Sequence, residues 1–156
     1  MRDAFPLMLL SFAACAAPQT EEADVRNGIR IQFAGVPVND QAQAEKFYTE
    51  KLGFEVVTDI PVGPYRWLSV ASPAGLQGVE FLLEPNAFPA TQTYQAALYE
   101  QGIPYTMFMV EDLEAVHAQL VERGVQFTMG PTEAGNVIIA MFDDTCGNLI
   151  QLTQEL

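Results

Sequence analysis

The side chains best suited to chemistry are few. The chain holds one histidine, His117, and two cysteines, Cys15 and Cys146, among 156 residues. A centre built from two histidines and a carboxylate therefore cannot be assembled within one chain. His117 falls between Leu113 and Leu120, at the border of an apolar stripe, and reads as a packed or surface helix residue rather than a ligand. Cys146 follows Asp143 and Asp144. Neighbouring negative charge makes a thiol harder to ionise and a worse nucleophile, so Cys146 reads as structural. Tyr65, Trp67, Met107 and Met109 lie in alternating extended runs and read as core or as the lining of a cavity. The formal net charge of −13 excludes nucleic acid and anionic lipid as partners, since either would be repelled. The acidic residues are scattered, as on a solvated surface.

The N-terminal segment is of a different kind. Ala4 to Ala14 carries no charge, and Leu7, Met8, Leu9, Leu10 and Phe12 form an apolar block of signal-peptide length. It is too short to span a bilayer. Phe12-Ala13-Ala14-Cys15 resembles a bacterial lipobox, which implies cleavage before Cys15 and a lipid on that cysteine. The expectation is a signal peptide over 1–14, a polar tether over 15–27, and a domain over 28–156. The protein would sit in the bacterial cell envelope on the periplasmic side, held to the membrane only through Cys15. The alternative is a cytoplasmic protein with an apolar start. With lipid on Cys15, Cys146 has no disulfide partner.

Two half-domains follow. Ile29 to Val38 alternates as a strand, and Asn39 or Asp40 can cap a helix striped by Ala44, Phe47, Tyr48 and Leu52 and closed by Gly53. Extended runs Phe54–Pro61, Tyr65–Ala71 and Val79–Glu84 come next, separated by Gly and Pro turns. The order then recurs. Tyr105–Val110 is extended, Asp112 caps a helix striped by Leu113, Val116 and Leu120, and Gly124 ends it. Val125–Met129, Val137–Phe142 and Leu149–Leu152 supply three more strands. Val38 precedes Val110 by 72 residues and Gly53 precedes Gly124 by 71, so one residue is lost inside the second helix of an internal duplication. Module one spans 28–85, a connector with a short helix over Thr93–Gln101 spans 86–103, and module two spans 104–153.

Val36-Pro37-Val38-Asn39-Asp40, the run Phe47 to Phe54, and Phe142-Asp143-Asp144-Thr145-Cys146-Gly147-Asn148-Leu149-Ile150-Gln151-Leu152 resemble the vicinal-oxygen-chelate superfamily, the glyoxalase/bleomycin resistance/dioxygenase type. The resemblance covers Ile29 to Leu152. It implies an α+β fold in which two β-α-β-β-β modules form an incomplete barrel, a cup with the site inside. In metal-dependent members four side chains point into that cup, and the resemblance carries those positions onto Phe33, Glu80, Tyr105 and Gln151. The repeat agrees, since Phe33 and Tyr105 are 72 apart and Glu80 and Gln151 are 71 apart. Phe33 has no donor, Tyr105 is a poor ligand and Gln151 offers a neutral carbonyl, so no metal and no cofactor is expected.

Two functions stay open. One is a binding module of the bleomycin resistance kind, holding a small, flat organic molecule among Phe33, Trp67 and Tyr105, with Glu80 and Gln151 orienting it. The other is a metal-independent enzyme with Glu80 as catalytic acid or base. A glyoxalase-like lyase or dioxygenase with a rebuilt metal site is the outsider. The resemblance favours a homodimer that completes or flanks the cup.

Overall fold

The computed structural model describes residues 28–156, and the signal peptide, the tether and Cys15 lie outside them. The compact unit that carries the fold runs from Ile31 to Leu156. It is an α+β fold with two open four-stranded sheets. The first sheet comprises β1 (Phe33–Val38), β2 (Glu55–Val62), β3 (Tyr65–Ala71) and β4 (Glu80–Pro85), ordered β1-β4-β3-β2. The second comprises β5 (Thr106–Met109), β6 (Phe127–Ala134), β7 (Val137–Asp143) and β8 (Leu149–Glu155), ordered β5-β8-β7-β6. In each, the first strand pairs parallel with the last and the remaining pairs are antiparallel. The duplication is thus a duplication of topology.

The helices start and stop where short-range chemistry directs. Helix α1 (Gln41–Lys46) is capped by Asp40, whose carboxylate accepts from Ala42 N at 2.8 Å and Gln43 N at 3.0 Å. Helix α2 (Pro89–Glu100) opens on a proline at its first turn and is the connector helix, starting four residues earlier than its apolar pattern indicates. Helix α3 (Leu113–Glu122) is capped by Asp112, which accepts from Ala115 N at 2.9 Å. Gly53 (φ +78°) and Gly124 (φ +81°) take the left-handed conformation that ends the helical segment of each module. The one-residue mismatch between the repeats has a visible form. After α1 the chain continues as a π-helical stretch, Phe47–Lys51, with Leu52 N donating to Phe47 O at 3.3 Å. Such a stretch absorbs one inserted residue in a helix.

The first strand is shorter than its alternation suggests. Ile29 and Ile31 are exposed, and pairing begins at Phe33 because its partner β4 begins at Glu80. Alternation without a partner strand does not make a strand.

Burial separates two faces on each sheet. Val36, Val38, Leu68, Val70, Phe81 and Leu83 in the first sheet, and Ala140, Phe142, Ile150 and Leu152 in the second, are buried in one core with Ala44, Phe47, Tyr48, Leu113 and Leu120 of the helical segments. By the two-residue period of a strand, Phe33, Trp67, Ser69 and Glu80 of the first sheet point the other way. So do Tyr105, Met107, Met109 and Gln151 of the second. This open face is what the fold leaves for function.

Candidate ligand-binding site

Phe33, Glu80, Tyr105, Gln151 and Trp67 all lie on the open faces, the first sheet carrying Phe33, Trp67 and Glu80 and the second carrying Tyr105 and Gln151. Phe33 stands opposite Glu80 in the parallel register. Its ring meets Trp67 edge-on, with centroids 5.7 Å apart and planes at 83°. Phe33, on the edge strand β1, and Trp67, on the inner strand β3, are 42% and 43% exposed, an open aromatic pair on the sheet face. Ser69, fully buried beneath them, donates to Glu80 Oε2 at 2.5 Å. One carboxylate oxygen is thereby fixed and the group is oriented. Tyr65, two residues before Trp67, is 44% exposed on the same face.

The second group gathers around β5 and β8. Gln151 stands between Met107 and Met141 in the register, and its Nε2 donates to Thr153 Oγ1 at 2.9 Å. Tyr105 meets Tyr94 of α2 edge-on, with centroids 6.4 Å apart. Burial, then the charge of Glu84, push the Tyr105 phenol above its ordinary pKa, so it remains a hydrogen-bond donor. Glu84 lies across Gly35, where any Cβ would collide with its carboxylate.

The registers revise the internal equivalence of the four positions. β3 and β4 are joined by residues 72–79, whereas β7 and β8 are joined by 144–148, a shorter connection by three. The counterpart of Gln151 is therefore Leu82, and that of Glu80 is Leu149. The shift beyond the 71-residue spacing is two residues, which preserves the face. Phe33, Leu82, Tyr105 and Gln151 are the repeat-related set, and they supply no imidazole, thiolate or carboxylate. Among the described residues no three His, Cys, Asp or Glu side chains are grouped to hold a metal ion. The donor set does not fit a transition metal.

The other chemically capable residues are structural. His117 packs edge-on against Phe127 with centroids 4.4 Å apart. Cys146 is buried, and burial first, then the Asp144 charge, push its thiol up to about 12. Sequence reasoning missed the network around it. Asp144, fully buried, accepts from Cys146 N at 2.8 Å, Asn148 N at 2.9 Å, Asn148 Nδ2 at 2.7 Å and Tyr48 Oη at 3.0 Å. Gln95 of α2 donates to Pro37 O at 2.7 Å, Cys146 O at 3.2 Å and Asn148 Oδ1 at 2.9 Å. Gly147 (φ +99°) is required here, since a Cβ would lie 2.8 Å from Asn39 Nδ2 and 2.9 Å from Gln95 Cδ. A polar cleft of about 510 Å³ opens beside the network, lined by Asn39, Asn86, Gln92, Tyr99 and Asp143 among others. A wider apolar groove of about 910 Å³ runs along β5 past Met107, Met109 and the β3–β4 connection. Neither holds the Phe33–Trp67 corner, which is an open surface.

Two open sheets of duplicated β-α-β-β-β order define the class, and residues 30–152 match the model of the Glyoxalase/Bleomycin resistance protein/Dioxygenase superfamily. The chain belongs to that superfamily. It is 48% identical over 127 residues, 81% of this chain and 100% of the relative, to the uncharacterized protein YurT of Bacillus subtilis (strain 168). Among solved structures it is similar to UcmS2, with a TM-score of 0.70 and 32% identity over 81% of this chain and 98% of the other. It is also similar to TnmS3, an antibiotic binding protein from Streptomyces sp. CB03234, with a TM-score of 0.65 and 32% identity over 82% and 97%.

Proposed function

We propose that this protein is a binding module that holds a small, flat organic molecule against its open aromatic face, without a metal. The observation that carries this reading is the half-exposed Phe33–Trp67 corner with a buried Ser69 orienting Glu80 beside it. Aromatic rings left open next to one fixed polar group suit a ligand that stacks and is then oriented. The likeness to an antibiotic binding protein supports the same class of cargo. Acid–base catalysis by Glu80 is less well served, because its hydrogen-bond partner is a hydroxyl and not a second titratable group.

Trp67 is the sole tryptophan, so its fluorescence reports on the proposed site. Titration with a panel of planar aromatic compounds should quench it saturably, and elemental analysis of untagged protein should find less than one equivalent of transition metal. A full equivalent of zinc, nickel or iron, removed only by chelator, overturns the metal-free reading.

Two further parts of the reading concern assembly and place. A second copy of the chain would cover the open faces and complete the cup, and sedimentation should then give a dimer at micromolar concentration. A monomer at that concentration would leave each face open. Lipidation at Cys15 would tether the domain to the cell envelope, although no helix among the described residues is long and apolar enough to cross a membrane. Replacing Cys15 with Ser in the native host should block processing. Normal maturation and membrane fractionation of that variant would end the lipoprotein reading.

A further inference from the structure

The open faces have a charge character that their apolar residues conceal. The eight strands carry one basic side chain, Arg66, and it is turned to the helix side. There it pairs with Asp59 at 2.7 Å and Glu45 at 2.8 Å, and its neighbour Gln41 bonds the Arg66 backbone. The opposite face of the first sheet presents Glu80 and Glu84 from the same strand. Four residues of extended chain place their Cα atoms about 13 Å apart. Leu82 lies between them, Phe33 stands opposite Glu80 with its ring against Trp67, and the charge of Glu84 is felt at Tyr105. No opposing charge on these strands neutralises either carboxylate.

Resting on the ligand-binding reading above, we infer that the ligand is an organic cation, a flat aromatic body bearing at least one positively charged nitrogen. Glu80, oriented by Ser69, and Glu84, laid across Gly35, are the groups that select it. Aromatic faces stabilise such a charge as well as the apolar body that carries it. A neutral ligand would leave the oriented Glu80 carboxylate beside an apolar body without compensation, and an anion would be repelled. Glu80 and Glu84 are thus specificity-determining, and Ser69 is a positioning residue.

Three planar tricyclic probes separate the possibilities: proflavine as cation, acridone as neutral molecule and anthraquinone-2-sulfonate as anion. Their affinities for the full chain are measured by calorimetry, with Trp67 quenching as a check on location. Proflavine should bind about tenfold more tightly than acridone, and the sulfonate should be the weakest. Glu80→Gln and Glu84→Gln should each narrow the proflavine-to-acridone ratio by roughly three- to tenfold, because both keep side-chain shape and lose charge. Glu114→Gln removes the same charge from the exposed first turn of α3 and should leave the ratio unchanged. Acridone or the sulfonate binding as tightly as proflavine overturns the cation assignment while leaving ligand binding intact. So does Glu114→Gln costing as much as Glu80→Gln, which would reduce the preference to bulk charge. If none of the three binds, the ligand-binding reading fails and the cation assignment falls with it.

Discussion

On the helix side, Leu68, Val70, Phe81 and Leu83 of the first module have Ala140, Phe142, Ile150 and Leu152 as counterparts, all buried and all apolar. On the open side, Trp67, Ser69 and Glu80 stand where the second module has Ile139, Met141 and Leu149. The hydroxyl–carboxylate pair of one half is a thioether and an isobutyl group in the other. The repeated face is bound by packing and keeps its polarity. The open face is not so bound, and the halves have diverged there. The scaffold is symmetric and the site is not.

Four tests would break or sharpen that contrast. The largest effect belongs to Asp144→Ala, which leaves Tyr48 Oη, two backbone N–H groups and the Asn148 amide without their shared acceptor. A loss of about 3–5 kcal/mol in urea unfolding is expected, with Asp144→Asn retaining part of it. The turns come next. Gly147→Ala should cost about 2–3 kcal/mol, since positive φ is joined by a collision with Asn39 and Gln95. Gly63→Ala, also at positive φ but with nothing within 4 Å, should cost about 1 kcal/mol. Equal losses would mean that the last hairpin is no more tightly seated than the β2–β3 turn.

The open faces should respond in binding rather than folding. Trp67→Ala should weaken capture of a planar aromatic ligand by about tenfold with a stability change under about 1 kcal/mol. Ile139→Ala, at the equivalent place in the second module, should leave affinity unchanged. Equal losses of affinity would remove the asymmetry between the halves. The smallest effect is a titration. The folded protein holds the Cys146 proton more tightly than the unfolded chain does. The stability this contributes is complete below about pH 9 and is lost as pH rises toward about 12. Alkaline unfolding curves of Cys146→Ala should lack that component, and the native thiol should resist alkylation at pH 8 until denaturant is added.

Much of this frame was legible in the residues. Asp112 and the closing glycines announce themselves by local chemistry, and the topology of each module follows from alternation and turns. Offset counting located the extra helical residue but not its π-helical form, which depends on where Phe47 and Tyr48 must sit in the core. It also equated Glu80 with Gln151. A count taken along the chain cannot tell a longer β3–β4 connection from a longer strand, and only the register does. Ser69 beneath Glu80 was hidden because in the β3–β4 register it stands opposite Leu82, and its bond to Glu80 is a diagonal one. The network of Tyr48, Gln95, Asp144 and Asn148 was invisible for a plainer reason. Its members come from three separate segments, and each alone reads as an ordinary helix or turn residue.

The seat of the last hairpin has a consequence for the order of events during synthesis. Tyr48 waits for Asp144, 96 residues later, and Pro37 O waits for Asn148, 111 residues later. Asn39 N likewise bonds only once Cys146 O has arrived. A ribosome that has delivered the whole first module has therefore delivered a module whose buried polar groups still lack their partners. Long sequence separations of this kind slow closure and prolong exposure of apolar surface. The growing chain is committed to its fold only as its final strand emerges, so truncation near residue 143 should release an unfolded product rather than a functional half.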